Sequence, residues 1–291
     1  MTQQQLLDRV VLGTVQLGIP YGRTSQSGLM PETVAFELLD AAWELGLRCF
    51  DTAEAYGSSA ARLAAWLDRS GHRASACLIT KIGVASPVAD IAPAAARALT
   101  RFEGARELTL LSHGPVTGDI WSRLRDAAAE ADACAGQSVY EPQEVAAAWA
   151  CVGTAVVQVP ANVFDSRAMI PPPGDRGAMH YRSIFLQGIL LDRPSVAEER
   201  VSGGGRLAEA VQSASAEAGV PAPSLLVAAV LRAAREADKV VIGADSAEEL
   251  QAISLALSAS ADAVDQFMRR IAEQPTPQPA VLDPRRWVHK S

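Results

Sequence analysis

Short apolar runs alternate along the chain with longer stretches whose apolar positions recur every three or four residues. The strand-like runs occupy 11–18, 47–51, 76–81, 108–113, 155–160, 182–187 and 239–243. A weaker run at 131–139 falls where the rhythm needs another strand. The stronger seven are apolar almost throughout instead of alternating, the pattern of parallel strands covered on both faces. Eight strands over 291 residues give about 36 residues per unit, the length of a βα repeat.

The stretches between them predict helices. In 31–46, Pro31 suits a first turn and Gly46 a C-terminal stop. Val34, Leu38, Ala41, Ala42 and Leu45 share one apolar face there. Ser246 followed by Glu249 has the form of a capping box opening a helix over 246–257. Alanine-rich segments at 88–102, 117–131, 141–150, 206–218 and 223–236 read as further helices. The prolines at 171–173 force a loop. Residues 202–205, Ser-Gly-Gly-Gly, predict a flexible link and lack the ending of a phosphate-binding P-loop. The proline-rich segment 274–291 predicts an irregular extension packed over the rest. No linker divides the chain, so the expectation is one α/β domain, a barrel over about 8–260 and an extension over about 261–291.

Composition narrows the function. With 49% hydrophobic and 20% charged residues, the chain is neither disordered nor fibrous. A net charge of −7 argues against nucleic acid as a partner. Cys49, Cys77, Cys134 and Cys151 form no CxxC pair and no metal-type cluster with the four histidines. They read as reduced, mostly buried thiols of a cytoplasmic protein without a metal. No signal pattern opens the sequence, and no run of ~18 apolar residues is present to span a membrane.

Candidate chemistry collects at strand ends. Asp51, Lys81 and His113 end the second, third and fourth strand-like runs, and Tyr56 follows Asp51 by five residues. In a parallel barrel these ends converge on one face. A single strand-end lysine is ordinarily a solvated charge, whereas several buried polar groups together must satisfy one another or lose ~1–3 kcal/mol each.

The segments GTVQLGIPYG (13–22), FDTAEAYGSS (50–59), ITK (79–81), LLSH (110–113), QSVYEP (137–142) and VVIGADSAEEL (240–250) resemble the aldo-keto reductases, in the same order. The resemblance implies a (β/α)8 TIM barrel that uses a nicotinamide cofactor without a Rossmann domain. It also implies a catalytic tetrad of Asp51, Tyr56, Lys81 and His113. Tyr56 would protonate the oxygen of a carbonyl receiving hydride, Lys81 would lower the tyrosine pKa, and Asp51 would keep Lys81 charged. His113 would orient the carbonyl or relay a proton.

By the same resemblance, Ser138 and Gln158 fall where side chains hold the nicotinamide carboxamide. Arg182 stands where an aromatic stacks on the ring, and Gly188 at the turn beside the pyrophosphate. Gly243, Ala244 and Ser246 match the adenosine-phosphate loop before the last helix. The sequence departs from the family at Val139 in place of asparagine, Ala60 in place of glutamate, Glu249 in place of arginine and Ile253 in place of asparagine. Asp245, Glu248 and Glu249 place acid where a 2′-phosphate would sit, so NAD(P)H binding is expected with NADH favoured or weak discrimination, NADPH being the alternative. The GTVQLGIPYG and 182–191 segments resemble bacterial members of carbohydrate metabolism, and the expected substrate is a small carbonyl compound or sugar. Two other readings stand beside the reductase. One is a Schiff-base aldolase using the Lys81 amine, and the other a non-catalytic cofactor-binding barrel serving as sensor or scaffold.

Overall fold

The computed structural model describes residues 3–22, 28–84, 90–174, 177–255 and 259–287. After a short helix α1 (Gln3–Leu7), the chain runs β1 (Val10–Gly13), α2 (Glu32–Glu44), β2 (Cys49–Asp51), α3 (Ser59–Ser70), β3 (Cys77–Ile82) and α4 (Ile91–Thr100). It continues β4 (Glu107–Ser112), α5 (Gly118–Glu130), β5 (Cys134–Ser138), α6 (Pro142–Ala150), β6 (Val156–Pro160) and β7 (Ala178–Arg182). Then come α7 (Pro194–Arg200), α8 (Gly204–Ala218), α9 (Ala222–Ala233), β8 (Lys239–Ile242), α10 (Ala247–Leu255), α11 (Ala261–Ala272) and α12 (Pro279–Leu282).

The strands pair in sequence order, each parallel to the next, and β8 closes on β1. The fold is therefore a (β/α)8 TIM barrel. The weak run at 131–139 does supply a strand, β5. Its Gly136 permits close approach to β6, since a Cβ there would stand 2.2 Å from the Val156 carbonyl oxygen. Outside β2, Phe50, Trp66 and Trp43 pack under α2 and α3, with Phe50 and Trp66 fully buried.

At the opposite end of the barrel from the strand C-termini, Asp238 ties β7 to β8. It is 1% exposed and accepts from the Met179 amide at 2.9 Å, the Tyr181 hydroxyl at 3.3 Å and Arg235 Nη2 at 2.8 Å. Arg9 Nε donates to the Asp238 carbonyl at 3.1 Å, joining β1 to the same cluster. No single helix among the described residues is long and apolar enough to cross a membrane.

Three expectations change. The seventh strand is β7, upstream of 182–187, because Ser183, Leu186 and Gln187 have φ of 63°, 49° and 51° and cannot continue an extended strand. Helix α2 buries Ala35, Leu38, Leu39 and Ala42, and leaves Val34 exposed. The glycines of 202–205 are ordered: Gly204 and Gly205 open α8 in buried positions, and Glu198 accepts from the Gly203 and Gly205 amides. At the start of the expected extension, residues 261–272 form α11, packed on α8 and α9 through Val264, Phe267 and Ile271. Among the thiols, Cys49 and Cys77 are buried, Cys134 is exposed and Cys151 half-buried.

Candidate active site

Asp51 closes β2, Lys81 stands next to last in β3, and His113 follows β4. Lys81 is 1% exposed and donates to Asp51 Oδ1 at 2.5 Å and to the Thr52 carbonyl at 3.1 Å. Gln158 Nε2 donates to Asp51 Oδ2 at 2.8 Å, and Ser138 Oγ donates to Gln158 Oε1 at 3.0 Å. Both oxygens of a buried carboxylate are thus engaged, one by a cation, which offsets the cost of removing the charge from water.

Tyr56 lies in the turn between β2 and α3, which the surrounding backbone pins. Thr14 Oγ1 donates to the Asp51 carbonyl at 2.9 Å, and Ser59 Oγ donates to the Thr14 carbonyl at 2.7 Å. The segment after β1 packs directly on this turn, so close that a Cβ on Gly18 would lie 1.8 Å from the Tyr56 carbonyl oxygen. Glycine is required there by contact. The rings of Tyr56 and His113 meet edge to face with centroids 5.8 Å apart, and Lys81 Nζ lies 5.2 Å from the Tyr56 ring centroid.

Charge is distributed differently from the expectation. Burial, reinforced by the Asp51 carboxylate, raises the Tyr56 pKa above its ordinary value, with Arg182 pulling the other way. Lys81 contacts the face of the ring and is neutralised by Asp51, so it does not supply the lowering expected of it. Burial also draws the Lys81 pKa down, opposed by Asp51. His113 is lowered to about 4, first by burial and then by Lys81 and Arg182. At neutral pH the site therefore presents a protonated phenol and a neutral imidazole.

A cavity of about 480 Å³ opens over these groups, within the ~300–1,000 Å³ usual for ligand sites. Its wall includes Tyr56, His113, Arg182, Gly188, Gly243, Asp245, Glu249 and Ile253. Of the residues expected to meet a cofactor, Arg182, Gly188, Gly243 and Glu249 line it. Ser138 and Gln158 are buried in the chain to Asp51. Ala244 is buried, and Ser246 Oγ accepts the Glu249 amide at 3.2 Å as a helix cap. Glu249 returns not to Ser246 but to the Asp245 amide at 2.9 Å. The cavity suits a polar ligand: the buried Gln16 Oε1 on its wall has no hydrogen-bond partner among the described residues, and the segment around Gly188 holds strained positive φ of the kind found at ligand clamps.

Sequence reasoning did not single out Gln16, Tyr21, Tyr140 or Gln187, which also line the cavity. Burial raises the Tyr21 pKa to about 12. Tyr140 lies two residues beyond β5, at the mouth, a position that its place after a strand made readable.

Residues 9–107, which carry Asp51, Tyr56 and Lys81, match the aldo/keto reductase family model. Solved aldo-keto reductases share the barrel over nearly the whole chain. The glycerol dehydrogenase of Gluconobacter oxydans is 19% identical, with 93% of this chain and 94% of that one covered and a TM-score of 0.70. An aldo-keto reductase of Bacillus halodurans in its holo form is 18% identical, with 93% and 94% covered and a TM-score of 0.68. An aldo/keto reductase of Klebsiella pneumoniae, solved with NADP and acetate, is 19% identical, with 93% and 92% covered and a TM-score of 0.64. At these identities the likeness to the solved aldo-keto reductases establishes the fold. No curated protein matches the sequence.

Proposed function

We propose that the protein is a nicotinamide-dependent oxidoreductase interconverting a small carbonyl compound, sugars included, with its alcohol, and that Tyr56 is its general acid. The observation carrying this reading is the meeting of Tyr56 and His113 on the wall of a cavity that extends to the start of α10, above a closed Asp51–Lys81 pair. The bound cofactor supplies or accepts the hydride. Tyr56 delivers the proton to the oxygen, and its raised pKa keeps it loaded at neutral pH. Neutral His113 orients the carbonyl as a hydrogen-bond donor without adding charge. Lys81, Asp51 and Gln158 hold the floor under the phenol.

Gly188, Gly243 and the residues opening α10 would hold the cofactor's phosphates and adenosine, with Arg182 near the reacting end. Asp245 and Glu249 on that wall favour NADH or weak discrimination, since carboxylates repel a 2′-phosphate. The aldolase reading meets a geometric obstacle. A Schiff base needs a free, accessible amine, whereas Lys81 Nζ is enclosed and bonded to Asp51 at 2.5 Å. The test is a fluorescence titration with NADH and NADPH, then a panel of aldehydes, ketones and sugars with the tighter one. Saturable binding followed by carbonyl-dependent cofactor oxidation is expected. Cofactor binding without turnover across the panel would return the sensor reading.

A further inference from the structure

Two guanidinium groups enclose one aromatic ring at the mouth of the cavity. Arg182, the last residue of β7, places its Cζ 4.1 Å from the Tyr140 ring centroid, and Arg285, beyond α12, places its own at 3.7 Å. Their surroundings differ. Arg285 is neutralised twice, by Asp283 at 2.9 Å and by Glu141 at 2.8 Å. Arg182 meets only neutral oxygens among the described residues, Ser183 Oγ at 3.4 Å and the Val139 carbonyl at 3.3 Å, both long contacts. A guanidinium has five N–H donors in a planar fork, so most of its capacity faces the cavity unspent.

The acids of the cavity do not answer this charge. Asp51 is taken by Lys81 and Gln158, Glu249 is bonded to the Asp245 amide, and no ion pair joins Arg182 to either acid among the described residues. Arg182 also stands close enough to the reacting groups to depress the pKa values of Tyr56 and His113. The catalytic end of the cavity therefore carries one uncompensated positive charge, half-buried and held in orientation by Tyr140.

We propose that the substrate is a carbonyl compound bearing a carboxylate, and that Arg182 receives this carboxylate beside Tyr56 and His113. A bidentate guanidinium–carboxylate pair matches the planar fork in geometry, and partial burial strengthens it. The inference rests on the reductase reading and deepens it by naming the substrate class. It assigns Arg182 to substrate selection in preference to stacking on the nicotinamide ring.

The test compares 4-carboxybenzaldehyde with methyl 4-formylbenzoate, aldehydes of like shape that differ by one charge. The intact protein is expected to favour the acid in kcat/KM by about 10–100-fold, the range of a charge-assisted hydrogen bond, expressed mainly in KM. In Arg182→Met this ratio collapses towards one, and Arg182→Lys keeps part of it. A parent preference for the ester overturns the proposal. So does an equal loss on both aldehydes in Arg182→Met with the ratio kept, the mark of a group acting on the cofactor. If neither aldehyde is consumed, calorimetric titration with 4-(hydroxymethyl)benzoate decides on Arg182 separately from the reductase reading, which the carbonyl panel decides. Binding that Arg182→Met abolishes supports the anion site, and equal binding by both proteins overturns it.

Discussion

Gln158 donates to Asp51 at 2.8 Å across the barrel, from β6 to β2. This bond and the Lys81 bond at 2.5 Å engage opposite oxygens of one buried carboxylate. Tyr56, the proposed proton donor, thus rests on a floor assembled from three strands that are not all neighbours, so the floor exists only when the barrel is closed.

Removing one member of the ion pair strands the other. Lys81→Met is expected to lower stability by about 3 kcal/mol or more, because the Asp51 carboxylate remains buried with its cation gone. The double variant Lys81→Met with Asp51→Asn should recover much of that loss in urea unfolding while remaining inactive. A single variant as stable as the parent would show that the pair is not buried as described.

Activity should be insensitive to pH through the neutral range. His113, lowered to about 4 mainly by burial, stays neutral above that, and Tyr56, raised above its ordinary value, keeps its proton. With a neutral aldehyde, kcat/KM for reduction should be flat between roughly pH 5 and 9, given the reference tyrosine value near ~10. An inflection between pH 6 and 8 would mean that His113 titrates as an ordinary solvated imidazole.

The Asp238 cluster makes a stability prediction at the other end of the barrel. Burial works against its charge, yet hydrogen bonds from Arg235 and the Met179 amide hold its pKa below the usual carboxylate value. A depressed folded pKa contributes stability that is present above the unfolded value and lost as pH falls through the folded one. Asp238→Asn should therefore be less stable than the parent at pH 7, with the gap in urea midpoints narrowing below pH ~4. A gap that stays constant down to pH 2 would remove the carboxylate from the account.

Cofactor choice follows from the far end of the cavity. Among the described wall residues Arg182 is the only lysine or arginine, whereas Asp245 and Glu249 lie at the start of α10, where the adenosine is proposed to bind. Arg232 in α9 pairs with Asp265 at 3.1 Å. NADH should bind at least as tightly as NADPH by fluorescence titration at moderate salt. NADPH binding tenfold tighter would show a basic group reaching the phosphate.

The apolar runs placed Asp51, Lys81 and His113 at strand ends on one face, and the family resemblance supplied the barrel and Tyr56 as their partner. The sequence was less legible where alternatives have equal pattern. In α2 two overlapping apolar stripes are available, and alanine does not distinguish the Val34 stripe from the Ala35–Leu39–Ala42 stripe that packing selects. Residues 182–187 are apolar enough for a strand, and only their positive φ angles, set by the loop they build over the cavity, exclude it. The electrostatics of Tyr56 were hidden for another reason. The direction of its shift depends on whether Lys81 meets the hydroxyl or the ring face, and on how much burial surrounds it, neither of which a spacing encodes. The anion-binding subsite was invisible in the same way, since what sets Arg285 apart from Arg182 is the acids that fold beside it.

The central claim is that Tyr56 delivers the proton, and the most direct measurement is steady-state reduction of a good aldehyde by Tyr56→Phe beside the parent, with cofactor affinity titrated in both. Loss of one hydroxyl should lower kcat by ~10²-fold or more, the scale of general acid catalysis, and leave the cofactor dissociation constant within about twofold. Turnover of the phenylalanine variant at the parent rate would contradict the account.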